Sequence, residues 1–257
     1  MKKILAILAI LMLLTGVACA EGELPERLQS SGQMIIGTEG MWSPWTYHDL
    51  TTNELTGYDV EVGRKICEKL GIKPEFMETV WDDLLAALDS RRIDTMINGV
   101  EVTPERAEKY VFSIPYCYSH TVLVVRGDNT TITSFEDLKG KNTANSVGST
   151  YMTAAESFGA YADGVDTLEE TMEMVLSGRA DATLNADVSV IDYLTAHPNA
   201  NVKVVAQLTD ASPVAIPFRK GDEALVEAVN KAIEELRAEG VLSELSLRFF
   251  GRDITEE

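Results

Sequence analysis

Apolar and polar positions along the chain keep two rhythms, and they take turns. Residues 34–38 form a short apolar run, the pattern of a buried strand. Over residues 58–70 the period changes: Val62, Ile66, Cys67 and Leu70 share one helical face, and Gly71 supplies the stop. Residues 73–78 read as a strand, 81–88 as a helix and 93–98 as a strand. Strand–helix alternation of this kind predicts βαβ units and a mostly parallel sheet. The middle of the chain repeats the plan, with pieces at 135–138, 150–158, 168–176, 182–185 and 188–194. A later helix over 222–238 carries Leu225, Val226, Val229, Ile233 and Leu236 on one stripe, Gly240 ends it, and a last helix follows over 241–250.

One piece is nearly written twice. SRRIDTMINGV starts at Ser90 and SGRADATLNAD at Ser177; aligned, Arg92 meets Arg179, Asp94 meets Asp181, and Asn98 meets Asn185. In each copy a helix ends, a short turn follows, and a strand runs out to Asn. Ligands of open α/β sheets bind beyond the C-terminal ends of strands, so two similar lobes face to face would aim Asn98 and Asn185 at one cleft. Turn residues favour Asn on their own account, which is the competing explanation.

The first twenty residues stand apart from this pattern. Lys2 and Lys3 precede an apolar run from Ile4 to Leu14, too short for a membrane span, and Ala18-Cys19-Ala20 closes it. Residues 1–20 are expected to be a secretory signal cleaved after Ala20, giving an exported periplasmic or extracellular chain. Lipidation at Cys19 is the rival, although Gly16 stands where that signal usually has Leu. Of the remaining cysteines, Cys67 lies on an apolar helix face, and free buried thiols are expected for it and Cys117.

Length and composition narrow the picture. The 257 residues, 45% of them hydrophobic, suffice for one large domain or two small ones. The net charge of −19 argues against nucleic acid, which needs Lys and Arg to displace phosphate counterions. It equally disfavours docking on anionic lipid, and solubility explains it simply. The three histidines, His48, His120 and His197, fall in loops or near an expected crossing, outside any acid–base constellation. No metal-ligand spacing, nucleophile elbow or phosphate loop is present, and no cofactor is expected.

The stretch GYDVEVGRKICEKL resembles the signature of the family 3 extracellular solute-binding proteins, the amino-acid receptors of ABC importers. Gly57, Tyr58, Asp59, Val60, Glu61, Val62, Ile66, Cys67 and Leu70 fill its slots. The blocks GTEGMWSPWTYHD, VWDDLLAALDSRRIDTMING, VTPERAEKYVFSIPY and LSELSLRFFG are similar to the same family, so the likeness spans nearly the whole exported chain. It implies a type II periplasmic-binding-protein fold: two lobes, each a mostly parallel sheet flanked by helices, joined by two hinge strands. Lobe one would comprise residues 33–119 plus 212–257 and lobe two residues 120–211, with crossings near HTVLVVRG and SPVAIPFRKG. The implied partners are a small-molecule amino acid, held by a monomer closing around its hinge, and the membrane permease subunits.

The resemblance also implies site residues. Arg106, in the T-x-x-R slot, would receive the ligand α-carboxylate with its planar fork. Gly99 and the Glu101 backbone would add N–H donors, although many relatives have Ser or Thr where Glu101 stands. Ser149 and Thr150, at a predicted helix start, would close on the same carboxylate. The α-ammonium is expected at Asp187, or shared by Asn185 and Glu39, because Ala186 fills the slot where relatives place Asp. Trp42 and Trp81 would form an aromatic pocket suited to a cation, with Trp45 in the core. Glu39 would reach a basic side chain. The blocks look most like the cystine-binding branch, with Arg or Lys close behind. The main rival is an exported dehydratase of prephenate-like compounds on the same fold, which would need a positioned acid or base. A sensor ectodomain would need an anchor after Glu257.

Overall fold

The computed structural model describes residues 24–257, so the expected signal segment lies outside the described residues. A short helix α1 (Glu26–Ser31) leads into strand β1 (Gln33–Thr38) and a small meander, β2 (Met41–Trp42), β3 (Thr46–His48) and β4 (Leu55–Thr56). Then come α2 (Tyr58–Leu70), β5 (Lys73–Glu78), α3 (Trp81–Asp89), β6 (Thr95–Met96), α4 (Pro104–Lys109), β7 (Tyr110–Phe112) and β8 (Cys117–Ser119). A second unit follows: β9 (Thr121–Arg126), a 3-10 turn at Phe135–Leu138, β10 (Asn142–Ser146), α5 (Thr150–Ser157), β11 (Tyr161–Val165), α6 (Leu168–Ser177), β12 (Ala182–Ala186), α7 (Asp187–Ala196) and β13 (Val202–Gln207). The chain returns through β14 (Ser212–Val214) and β15 (Pro217–Arg219) to α8 (Glu223–Ala238) and α9 (Val241–Phe250).

Two sheets organise these elements into two lobes. In the first, β5 and β6 flank β1, all parallel. In the second the order is β11-β10-β12-β9-β13; the first three and β13 run the same way, and β9 lies antiparallel between β12 and β13. Two strands carry the chain between the lobes side by side, β14 pairing antiparallel with β8.

Local chemistry explains the elements. Helix α2 buries Val62, Ile66 and Cys67, each apolar side chain worth about 1.5–3 kcal/mol removed from water. It starts at Gly57, where a Cβ would sit 2.3 Å from the Trp45 carbonyl oxygen, so no side chain fits. It ends on Gly71 in the left-handed conformation, φ 69°. Helix α6 is bounded by a capping box of Thr167 and Glu170 and by Gly178 at φ 75°. Strand β9 is central and apolar on both faces: Val122 and Val124 pack with Met172 and Val175, while Leu123 and Val125 join the other main core. Cys67 and Cys117 are free and buried, as expected. Among the described residues no helix is long and apolar enough to cross a membrane.

The strand expected over 93–98 is shorter, pairing only at Thr95–Met96. The reason is Asp94, whose carboxylate takes the Ile35 N–H at 2.8 Å and pairs with Arg27, so a side chain replaces part of the ladder. Its counterpart Asp181 does the same job in the other lobe, accepting the Asn142 N–H at 2.9 Å. In both copies the Asp backbone N–H also bonds the same neighbouring residue, Ile35 in one and Asn142 in the other. Arg91 at φ 61° stands in the left-handed position that Gly178 fills in the second copy. The written echo is therefore a structural one, down to its turn.

Candidate functional site

A cleft of about 490 Å³ opens between the lobes, within the range usual for small-molecule sites. The first lobe lines it with Glu39, Met41, Trp42, Trp81, Gly99 and Arg106. The second contributes Ser146, Ser149, Thr150, Tyr151 and Asn185, with Asp166, Thr167 and Leu168 beside them. Eight of the residues expected from sequence thus meet at one place. Asn98, Glu101 and Asp187 stand behind it.

Arg106 is positioned before any ligand arrives. The Thr103 hydroxyl caps α4 by accepting the Arg106 N–H at 3.2 Å, which fixes the backbone. The guanidinium lies over the Trp81 ring, 5.2 Å from its centroid, and Nη1 donates to the Glu101 carbonyl at 3.0 Å. Burial lowers its proton affinity, with Glu101 and Tyr151 opposing, and a guanidinium stays charged regardless. One face of Trp81 is therefore occupied by Arg106, so the aromatic pocket expected of Trp42 and Trp81 already holds a cation of the protein's own. Trp81 is first of all a platform for the cation.

Across the cleft, α5 presents its N-terminus. Ser149 spends its hydroxyl on the Met152 N–H at 3.1 Å, leaving the Thr150 and Tyr151 N–H groups without a partner among the described residues. Free N–H groups at a helix start favour an anion. Arg106 and the start of α5 thus line opposite walls of one cleft.

Gly99 lines the cleft, but the donor role expected of it does not hold. Its N–H goes to Asp59 Oδ2 at 2.5 Å, and Asp59 Oδ1 accepts from the Tyr116 hydroxyl at 2.8 Å. Gly99 has φ 58°, and a Cβ there would lie 2.5 Å from Trp42 Cζ3. Its use is to let the Trp42 ring lie flat against backbone. Trp42 stacks in turn on Trp45, centroids 5.3 Å apart, and Trp45 is core as expected.

Three acids surround this arrangement. Glu39 Oε2 accepts from Asn98 Nδ2 at 2.6 Å, and the Trp81 N–H also reaches the carboxyl. Burial nevertheless pushes its pKa up to about 7, those two hydrogen bonds pulling the other way. Asn98 acts through Glu39, since Asn98 Oδ1 also takes the Glu39 N–H at 2.8 Å. The Glu101 carboxyl is buried behind Arg106. Asp187, expected to receive an ammonium, turns elsewhere: Oδ2 pairs with Arg252 and Oδ1 accepts the Val188 N–H at 2.8 Å. The carboxylates that do line the cleft are Glu39 and Asp166. Asn185 lines it too, its Oδ1 accepting the N–H of Ala186 at 2.9 Å.

Sequence reasoning missed Asp166, Thr167 and Leu168, although a signal was present. The offset that lays Ser90 on Ser177 lays Trp81 on Leu168, each the first residue of its helix and each on the cleft wall. No histidine lines the cleft: His48 pairs with Glu78, His120 with the Leu208 carbonyl and His197 with the Tyr193 carbonyl. Among the described residues no cluster of His, Cys, Asp and Glu could hold a metal.

Two sheets bridged by a pair of crossing strands, with a guanidinium and a helix N-terminus on opposite walls of the cleft between them, define a two-lobed solute-binding protein of the type II periplasmic kind. The chain belongs to the bacterial extracellular solute-binding proteins, family 3, whose family model matches residues 34–252. A probable amino-acid ABC transporter-binding protein of Haemophilus influenzae is 41% identical over the full length of both chains. The L-cystine solute receptor of Neisseria gonorrhoeae, solved unliganded and open, is 42% identical with TM-score 0.61, covering 90% of this chain and 98% of its own. An ancestral arginine-binding protein bound to arginine is 34% identical with TM-score 0.80, covering 86% and 99%. The less similar sequence superposes with the higher TM-score.

Proposed function

We propose that this chain is the extracytoplasmic substrate-binding component of an ABC importer, capturing a polar L-amino acid between closing lobes and delivering it to permease subunits. One observation carries the reading. Arg106, held flat on Trp81 and backed by the Glu101 carbonyl, faces the free N–H end of α5 across the cleft, a two-sided receptor for one carboxylate. The names of the Haemophilus and Neisseria proteins agree with it.

Glu39 and Asp166 are the acids placed to meet positive groups, so cystine or a basic amino acid such as Arg or Lys fits better than glutamate. Lobe one is read as residues 33–119 plus 212–257 and lobe two as 120–211, acting as a monomer. Export after cleavage at Ala20 is the favoured route to the envelope, with a lipid anchor at Cys19 as the other. A second reading, an exported dehydratase, has Glu39 in its favour: a carboxyl titrating at about 7 has the proton affinity of a general acid. The chain is read as a binder rather than an enzyme.

The test is ligand-dependent melting of residues 21–257 after unfolding and refolding to strip carried ligand. A ligand at a hundredfold over its Kd adds about 2.7 kcal/mol, which raises Tm by roughly 5–10 °C. A shift with cystine, Arg or Lys that disappears in Arg106→Ala supports the receptor reading. No shift with any amino acid, together with turnover of an arogenate-type compound, would replace it by the dehydratase.

A further inference from the structure

We propose that Glu101 is a proton-binding site linked to ligand capture: its carboxyl takes a proton from solvent when a ligand carboxylate engages Arg106 and the lobes close. The proposal rests on the amino-acid reading above.

The backbone on either side of Glu101 is pinned to the returning crossing strand. Ala215 donates to the Val100 carbonyl at 3.0 Å and Val102 to the Pro213 carbonyl at 3.0 Å, with Glu101 itself bridged to Val214. The side chain is held at the seam, 5% exposed, and Oε1 has no hydrogen-bond partner. It meets Arg106 from α4, the Thr150 hydroxyl from α5 and the Ser212 hydroxyl from β14. The other titratable group facing it is Tyr151, whose own neighbours include Asp187 and Arg106. Burial is the largest influence and raises the Glu101 pKa, while Thr150, Arg106 and Ser212 pull it back.

A ligand carboxylate alters that balance. It takes the fork of Arg106, the one cation beside Glu101 among these groups, so two carboxylates then share one positive charge. The ligand also receives the free N–H groups of α5, whereas Glu101 Oε1 receives nothing. Of the two, Glu101 is the cheaper to neutralise. The neutral acid gains a donor, and the Thr150 and Ser212 hydroxyls beside it can accept. When the lobes part, Thr150 and Tyr151 leave, water reaches the carboxyl, and the proton returns to solvent.

The sign follows from linkage. The closed, liganded state holds the proton more tightly than the open one, so affinity falls as pH rises through the Glu101 pKa of the closed state. Below the ordinary carboxyl value of 4.5 both states are protonated and the dependence ends. Glu39 runs the opposite way, because a cationic ligand group expels its proton.

Calorimetric titration of the refolded protein with arginine and with cystine, in buffers of different ionisation heat from about pH 5 to about pH 8, counts the protons. E39Q is expected to take up protons on binding, Kd tightening about tenfold per unit fall in pH where one whole proton is taken up; in wild type the proton that Glu39 releases offsets this uptake. In E101Q the Glu101 uptake should vanish, leaving net release. A proton count in E101Q equal to that of wild type, or no uptake in E39Q, overturns the proposal. Should E101Q not fold or bind, carboxyl-carbon NMR of wild-type Glu101 decides: arginine must raise its titration midpoint, and an unmoved midpoint refutes the idea. Failure of every amino acid to bind would remove the amino-acid reading and this proposal together, whereas binding by E39Q without proton uptake removes this proposal alone.

Discussion

The indole N–H of Trp45, from the first lobe, donates to the hydroxyl of Ser189, on the first turn of α7 in the second, at 3.0 Å with both residues buried. Two residues earlier on the same turn, Asp187 pairs with Arg252, just past α9. Phe250, at the end of α9, packs on Trp45 with centroids 4.8 Å apart. The start of α7 is therefore held on two sides by the opposite lobe. Neither grip uses a residue that lines the cleft.

Ser189→Ala should weaken binding although the residue lies outside the cleft. It leaves the Trp45 N–H buried without an acceptor, a cost of about 1–3 kcal/mol. Titration should show Kd raised roughly tenfold or more, with the number of sites unchanged. An unaltered Kd would mean that the contact does not stabilise the closed form.

Arg106→Lys should bind poorly despite keeping the charge. A lysine ammonium offers neither the two-donor fork nor the planar surface that lies on Trp81. Truncating one partner of a buried charge pair typically costs about 2–5 kcal/mol, so Arg106→Ala should abolish binding at micromolar ligand. Equal affinities for the Lys variant and wild type would contradict a bidentate role.

Gly99→Ala should damage the cleft more than the fold. The new Cβ would meet Trp42 at 2.5 Å and would sit at φ 58°, a strain of about 1–3 kcal/mol. Displacement of the Trp42 ring should appear as a changed tryptophan emission and a weaker Kd, with a modest fall in Tm.

Stability of the ligand-free protein should fall as pH rises towards neutrality. Burial pushes both Asp59 and Glu39 up to about 7, from ordinary values of 3.8 and 4.5. Folded-state values raised above the unfolded ones give stability that is complete at low pH and is lost as pH rises through about 7. The Glu39 contribution to affinity for a ligand with a cationic distal group should move the other way, rising as Glu39 ionises, so Glu39→Gln should leave affinity falling more steeply with pH than in wild type. Melting curves and titrations across the same pH series check both signs.

Much of this was legible from the residues. Helices 58–70 and 241–250 were readable to the residue, because a continuous apolar stripe runs the length of each and a glycine stands past its end. The strand at 93–98 was overread because nothing local reveals that Asp94 will spend its carboxylate on Ile35. Arg106 and the start of α5 were findable because both lie in short motifs. Asp187 was not, since Arg252 reaches it only when the C-terminal turn is folded against the other lobe. Asp59 was visible as a motif acid, but that it takes the Gly99 N–H depends on a crossing of two distant segments.

The stacked pair of Trp42 and Trp45 has an optical consequence. The two indoles are nearly parallel, inclined by 19° with centroids 5.3 Å apart, so a displacement of either ring changes the surroundings of the other. The chain has three tryptophans in all, and the third, Trp81, lies under Arg106 on the cleft wall. Every indole chromophore therefore sits in the cleft or at the seam behind it, with none elsewhere to dilute the signal. Lobe motion and ligand arrival can be followed by the protein's own absorbance and emission, without a dye or a label.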